Sequence, residues 1–265
     1  MDTLRFEYTQ DYVDTEFCKV CRGCIMVYNS IIKSQCILTN DENLIRDEFV
    51  KYLKNPQYRR SHIPLNEFHF EKEVPEYMGR ADIKVMPRNG FEDDYAYYII
   101  ECKRLDNINS TGITGLNAEY IKNGICRFVT GFYSTYNDCC GMLGFVIDKM
   151  DIHKNTCGNI NRLMSQTMTN DKGIEVNANV TIPMTNIIME NTFNYSYLSN
   201  HRHEIENREI TIYHLMFDFS DIIMKARLGK QNIEEDHYNY LECLYCSLDN
   251  FILYNEVFII NREYR

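Results

Sequence analysis

The chain has no tryptophan, no surplus of basic residues and no apolar run near the length needed to cross a bilayer. Lys and Arg number 28 against 38 Asp and Glu, a net charge of −10. That balance excludes a protein that coats nucleic acid non-specifically through a basic surface. It leaves room for one whose basic residues are local. The opening Met1–Glu7 has neither a basic n-region nor an apolar h-region, so no signal peptide is expected. No Walker A loop, dinucleotide-binding glycine pattern or Ser/His/Asp arrangement competes for the chemistry. Internal repeats, low-complexity tracts and clear linkers are lacking too. A single domain over residues 1–265 is therefore expected, with an N-terminal helical segment (1–36), a central core (37–150) and a C-terminal elaboration (151–265).

What is present suits a soluble globular protein: 265 residues, 45% hydrophobic and 25% charged, with twenty Tyr and fourteen Phe for a core. Eleven Cys, an odd number scattered through helical and strand-like segments, fit a reducing cytoplasm better than a disulfide framework.

Two short segments organise the rest. Gly79-Arg80-Ala81-Asp82-Ile83-Lys84-Val85 alternates apolar residues through Ala81, Ile83 and Val85. Tyr97-Tyr98-Ile99-Ile100-Glu101-Cys102-Lys103-Arg104 is β-branched and aromatic. Both read as strands, so Asp82 lies opposite the Ala81/Ile83/Val85 face, and Glu101 and Lys103 share a face. A turn through Gly90, between Pro87 and Asp94, would pair them antiparallel and bring Asp82 close to Glu101. Two carboxylates and an ammonium at the end of an apolar strand are costly to bury unless they pair or hold a metal. Hard oxygen ligands of this kind suit Mg²⁺.

An Asp on one strand, followed on the next by Glu-x-Lys in an apolar run, resembles the signature of the PD-(D/E)XK nuclease superfamily, the restriction-endonuclease-like fold. Ala81 stands where the pattern usually has Pro. The resemblance implies an α/β (α+β) protein with an αβββαβ core, a mixed central sheet flanked by helices. It implies a Mg²⁺-dependent endonuclease, with Mn²⁺ as substitute, acting on nucleic acid and on DNA in preference to RNA. Asp82, Glu101 and the backbone carbonyl of Cys102 would hold the metal, and Lys103 would orient or help deprotonate the attacking water. A role in restriction or phage defence follows from the resemblance alone; a homodimer is also expected, and a cytoplasmic location follows from the cysteines and the lack of a signal peptide.

In chain order, Tyr12 to Ile32 carries Phe17, Cys21, Cys24, Tyr28 and Ile31 at helical spacing. Thr39-Asn40-Asp41-Glu42 reads as a capping box opening a helix to about Leu53, with Leu44, Ile45, Phe49, Tyr52 and Leu53 apolar. Glu48 falls on or near the buried side of that helix, the position that matches the helix carboxylate of the resembled family; a partly exposed surface Glu is the competing reading. Lys51, Lys54, Arg59, Arg60 and His62 make the densest basic segment, a solvated helix end in the simpler reading and a phosphate contact in the other.

Glu67 to Val74 reads as a first strand closed by Pro75. After a polar loop comes a helix with Ile121, Ile125, Phe128, Val129 and Phe132 apolar. On it, Gly124 and Gly131 allow close packing, and Tyr120 and Arg127 share a face, packing being preferred for both over contact with nucleic acid or the metal-site Glu. Gly141–Ile147 reads as a buried strand, which completes the helix, three strands, helix, strand order. Beyond it, a helix over residues 151–168, a polar, loop-rich stretch over 170–191, and strands over 193–200 and 210–219 are expected. His201 and His203 read as a solvated hairpin tip rather than a metal pair or a phosphate clamp. A helix over 234–250 with Cys243-x-x-Cys246 and a strand over 251–260 close the chain.

Two readings from other classes stand beside the nuclease. A non-catalytic binding or scaffold subunit has no need of an intact Asp/Glu/Lys set on a core strand. A zinc or iron–sulfur module would use Cys18, Cys21 and Cys24, yet three-residue steps on one helix fan those thiols over a wide arc, and two sit on the apolar stripe. Purified protein should therefore carry no stoichiometric zinc or iron by elemental analysis. Metal lost on Cys21→Ser would reverse that reading.

Overall fold

The computed structural model describes residues 10–76, 78–88, 97–133 and 138–223. The expected helix 234–250 with Cys243 and Cys246, the strand 251–260 and the Gly90 turn lie outside those residues. Helix α1 (Gln10–Ser34) is followed by α2 (Glu42–Lys54) and two short helices, α3 (Pro56–Ser61) and α4 (Ile63–Asn66). Three strands come next: β1 (Phe68–Glu76), β2 (Gly79–Pro87) and β3 (Tyr98–Leu105). A second helical stretch joins α5 (Leu116–Tyr120), a π-helical turn (Ile121–Ile125) and α6 (Cys126–Val129), and leads into β4 (Cys139–Val146). The chain continues through α7 (Ile152–Lys154), a π-helical turn (Asn155–Ile160) and α8 (Asn161–Met164). It ends in β5 (Met168–Thr169), β6 (Glu175–Val176), β7 (Val180–Asn186), β8 (Ser196–Arg202) and β9 (Glu209–Asp218).

Seven strands form one mixed sheet in the order β1-β2-β3-β4-β9-β8-β7. β1–β2 and β2–β3 pair antiparallel, β3–β4 and β4–β9 parallel, and β9–β8 and β8–β7 antiparallel. β3, β4 and β9 are buried almost throughout, as parallel strands covered on both faces must be. On one face, Phe17, Val20, Cys24 and Ile31 of α1 and Ile45, Phe49 and Leu53 of α2 pack in a cluster with Phe145, Leu215 and Phe217. On the other, Tyr120, Ile121, Ile125 and Phe128 pack with Met142, Met216 and the helices after β4. The protein is thus α+β, with a mixed sheet between helical layers, and the predicted order of helix, three strands, helix and strand is present. No described helix is long and apolar enough to cross a membrane.

Several local expectations need correction. Pro75 lies inside β1, paired with Arg80, rather than closing the strand; β1 is an edge strand, where a missing N–H costs no ladder bond. The 170–191 stretch contains β7, the opposite edge, whose bulged register with β8 hides the strand's alternation. Gly124 does allow close approach, since a Cβ there would meet Met142 Cε at 2.6 Å and Lys103 Cγ at 3.4 Å. Gly131 instead follows the end of α6 with φ +72°, the left-handed conformation that glycine adopts without strain.

His201 and His203 are buried, not at a solvated tip. β8 runs on to Arg202, and the true tip folds against α6, Glu204 N–H donating to Val129 O at 2.8 Å. His201 closes a buried chain whose direction is dictated by its end. Ala178 O can only accept, so His201 Nδ1–H donates to it (2.7 Å). Ser199 Oγ–H then donates to His201 Nε2 (2.7 Å), His214 Nε2–H to Ser199 Oγ (2.7 Å) and Tyr120 O–H to His214 Nδ1 (2.8 Å). Both imidazoles must be neutral for every partner to be satisfied. Burial accordingly depresses His201 to about 4 and His214 well below its ordinary value.

Since both folded values lie below the unfolded one near 6.5, the unfolded chain binds more protons in acid. This stability is complete above about pH 6.5 and is lost as pH falls towards 4; His201 alone accounts for on the order of 3 kcal/mol. Urea unfolding across pH 7.5 to 4.5 should show a steep acid loss in wild type. His201→Asn keeps a donor for Ala178, and should start less stable but lose less with acid. Equal slopes in the two proteins would reject the assignment.

Candidate functional site

Antiparallel pairing of β2 and β3 matches Ile83 with Ile100, and continuing that register sets Asp82 across from Glu101. Glu101 has no solvent exposure. A buried carboxylate must collect donors, and Glu101 draws them from three elements. Lys103 Nζ, two residues along β3, lies 2.9 Å from Oε1; Arg127 Nη1, from α6, lies 2.7 Å from the same atom. Tyr133, from the turn after α6, donates its hydroxyl to Oε2. The π-helical turn of residues 121–125 brings Gly124 against Lys103 and precedes Arg127 in the same helix. Burial raises the Glu101 carboxyl to about 6, and the Asp82 charge adds to the rise, while Lys103, Arg127 and the Tyr133 hydroxyl oppose it.

Lys103 is also almost fully buried. Its ammonium sits among three oxygens: Glu101 Oε1 at 2.9 Å, Cys102 O at 2.8 Å and Glu42 Oε1 at 3.0 Å. Glu42 Oε2 accepts Arg104 N–H at 3.0 Å, so this carboxylate spans two residues of β3. Burial works to lower the Lys103 pKa, but the Glu101, Glu42 and Asp82 charges outweigh it and hold the group above its ordinary value. Lys103 is therefore a fixed cation here.

Asp82 is fixed by different partners. Its Oδ2 accepts the Cys102 N–H (2.8 Å) and its Oδ1 binds Arg46 Nη1 (2.8 Å). Arg46 Nη2 reaches Asp47 Oδ1 (3.0 Å) and Glu73 Oε1 (3.2 Å), and Lys72 Nζ reaches Asp47 Oδ2 (2.7 Å). Glu73 has φ +53°. Glu101 lies at the base of this cluster, fully buried, whereas the Asp82 and Glu42 side chains are 17% and 31% exposed. Solvent reaches the site from their side.

The sequence-predicted residues Asp82, Glu101, Cys102 and Lys103 thus come together, and Glu48 does not join them. Glu48 pairs with Lys51 on its own helix at 3.5 Å. The carboxylate that α2 supplies is Glu42, in its first turn. The expected capping role falls to Asp41, whose side chain accepts Leu44 N–H at 3.0 Å, leaving Glu42 to reach β3. Helical spacing carries the signal that was missed: Glu42, Arg46, Phe49 and Leu53 recur at i, i+4, i+7 and i+11, the buried stripe of α2. Arg127, read as packing, is an ion-pair partner of Glu101, while Tyr120 packs and bonds to His214. Cys21 and Cys24 are buried in the α1 core, and Cys18 packs against it.

The site's donors are all hard oxygens, the class that Mg²⁺ prefers. Glu42 Oε1, Glu101 Oε1 and Cys102 O already converge on one cation, the Lys103 ammonium, with Asp82 adjacent. The donor chemistry fits a divalent metal, and the spacing is that of an ammonium, longer than the roughly 2.0–2.1 Å of a magnesium–oxygen bond. Among the described residues, no three His, Cys, Asp or Glu side chains are arranged as a ready-made metal site. No family model, curated protein or solved structure matches the chain.

Removing one member of a buried ion network costs about 3–5 kcal/mol, because it leaves an uncompensated charge. Arg127→Gln should lower the urea-derived unfolding free energy by roughly that amount. Glu48→Gln should stay within about 0.5 kcal/mol of wild type, as surface changes do. The reverse ranking would mean that Glu48, not the Glu101 cluster, carries the charge balance.

Proposed function

We propose that this chain is a metal-dependent nuclease of the PD-(D/E)XK type, hydrolysing phosphodiester bonds, with DNA preferred to RNA as substrate. The observation that carries the reading is the convergence of Glu42 of α2 with Glu101, the Cys102 carbonyl and Lys103 of β3 beside Asp82 of β2, within a helix, three-strand, helix, strand unit. Asp82, Glu101 and the Cys102 carbonyl would hold Mg²⁺ or Mn²⁺, with Glu42 taking the place expected of Glu48. The bound metal supplies a Lewis acid that polarises the phosphate and acidifies a coordinated water.

The protein's own groups do the rest. Hydrolysis forms a bond from a water oxygen to phosphorus and breaks the bond to the departing oxygen; the proton the water loses passes to bulk solvent, and the departing oxygen takes one from solvent. Lys103 donates three hydrogen bonds and stays charged, so its part is to orient the water and offset negative charge at the transition state, rather than to accept a proton. To do so it must exchange part of its Glu42/Glu101/Cys102 contact for substrate and water. Arg127 holds the same Glu101 oxygen as Lys103 and Tyr133 holds the other, so the carboxylate stays in place as Lys103 moves. Arg46 does the same for Asp82, whose Oδ2 is pinned by the Cys102 N–H.

A second reading has an observation of its own. Every carboxylate of the cluster is already paired with a protein cation, as a purely structural ion network requires, which suits a non-catalytic binding or scaffold subunit. Cleavage and thermal stability measured on the same variants separate the two. With Mg²⁺ and plasmid, linear or single-stranded substrates, wild type should cleave and EDTA should stop it. Lys103→Ala should lose about a hundredfold or more in rate while still folding. Lys103→Arg should rescue little, because a planar fork does not replace a compact ammonium. Asp82→Asn should lose metal binding. Near-wild-type cleavage by folded Lys103→Ala would sink the catalytic assignment, and a fall in melting temperature with turnover intact would favour the scaffold.

A further inference from the structure

The basic segment singled out in the sequence gains a partner in the fold. Arg59 of α3 and Arg88, just past the end of β2, converge on one stretch of backbone. Arg59 Nη1 donates to Phe68 O at 2.9 Å, and Arg88 N–H donates to Glu67 O at 2.8 Å. Arg60 adjoins Arg59 and, like Arg88, is exposed. No described carboxylate pairs with any of the three; the Glu67 carboxylate is taken by Lys19 at 2.6 Å. The Arg59 Nε–H is buried with no hydrogen-bond partner, a state that normally calls for an acceptor. Burial and the neighbouring Arg88 and Arg60 charges make it easier for Arg59 to lose its proton, the mark of uncompensated like charge. Every other buried cation discussed above is neutralised inside the fold.

We propose that Arg59, Arg60 and Arg88 form a second anion-binding site that grips the phosphodiester backbone away from the cleavage centre, an inference that rests on the nuclease reading for its choice of polyanion. β2 links the two places. Arg88 follows Asp82 by six residues, about 20 Å at the rise of a strand. α2, from Glu42 to Lys54, is also about 20 Å long, and Asn55 then leads into the α3 that carries Arg59. A nucleic-acid backbone lying along this direction would present its scissile phosphate to the carboxylate centre and phosphates several nucleotides away to the arginines. Guanidinium forks suit phosphate oxygens. In a chain of net charge −10, such a local patch supplies the attraction that the overall charge does not.

Binding is read without metal, by fluorescence anisotropy of labelled 20-nucleotide single-stranded and duplex DNA in EDTA, between 50 and 200 mM NaCl. Arg60→Gln/Arg88→Gln changes two exposed residues and should melt like wild type; Arg59→Gln tests the buried fork. Losing two phosphate contacts should make the slope of log K against log salt shallower by about 1.8 on duplex, or about 1.4 on single strands, and weaken binding about tenfold at 50 mM. Affinity and slope equal to wild type would overturn the proposal, as would wild type that does not bind DNA. The two readings fail separately. Cleavage by wild type with unchanged binding by the double variant removes the arginine site and leaves the nuclease. Weakened binding by the variant, with no cleavage by wild type, leaves the arginine site and removes the nuclease.

Discussion

A carboxylate with no exposure to water must be compensated from within, and the placement of Glu101 fixes much of what surrounds it. Its donors come from β3 itself, from α6 and from the turn beyond α6, while the Lys103 that serves it is shared with Glu42 of α2. One buried charge thus ties together the helical layers on both faces of the sheet. Coulomb attraction is strong at such a site and the desolvation cost is comparably large. The network therefore contributes more to holding one arrangement of α2, β3 and α6 than to net stability.

The same constraint shapes what the site can do. Its charges are held by partners from α2, β3 and α6 rather than by solvent. Asp82 is paired with Arg46, and Glu101 with Lys103 and Arg127. Of these cations, Lys103 alone bonds to a backbone carbonyl and two carboxylates at once. Arg59, Arg60 and Arg88 show the opposite balance, cations without counter-charges among the described residues. Paired charges at one end of β2 and α2 thus give way to arginines without described counter-charges at the other.

The Asp82 and Glu101 strands, their antiparallel pairing and the buried β4 were legible because periodicity of two and β-branched runs report burial directly. The helix order was legible for the same reason. Glu48 was misplaced because a carboxylate near an apolar stripe looks alike whether it faces inward or flanks the stripe. Only the cations of β3 distinguish Glu42, which finds Lys103 and the Arg104 N–H, from Glu48, which finds Lys51. Arg127 was legible only as a choice between packing and contact with the metal-site Glu, and packing was preferred because nothing local reveals that its face of α6 meets Glu101. The two histidines looked exposed because charged neighbours surround them in the sequence, although β8 continues through His201 and the tip turns back onto α6.

By itself, then, the sequence determined the local elements, the apolar faces and the chemical types gathered on β2 and β3, all set by interactions within a few residues. Tertiary structure decided which charges meet. The Glu42–Lys103, Arg46–Asp82 and Arg127–Glu101 pairs join residues 61, 36 and 26 positions apart. No local pattern encodes such a pair, because each depends on how whole helices dock against the sheet, and docking is driven by apolar burial that is indifferent to which charges it brings together.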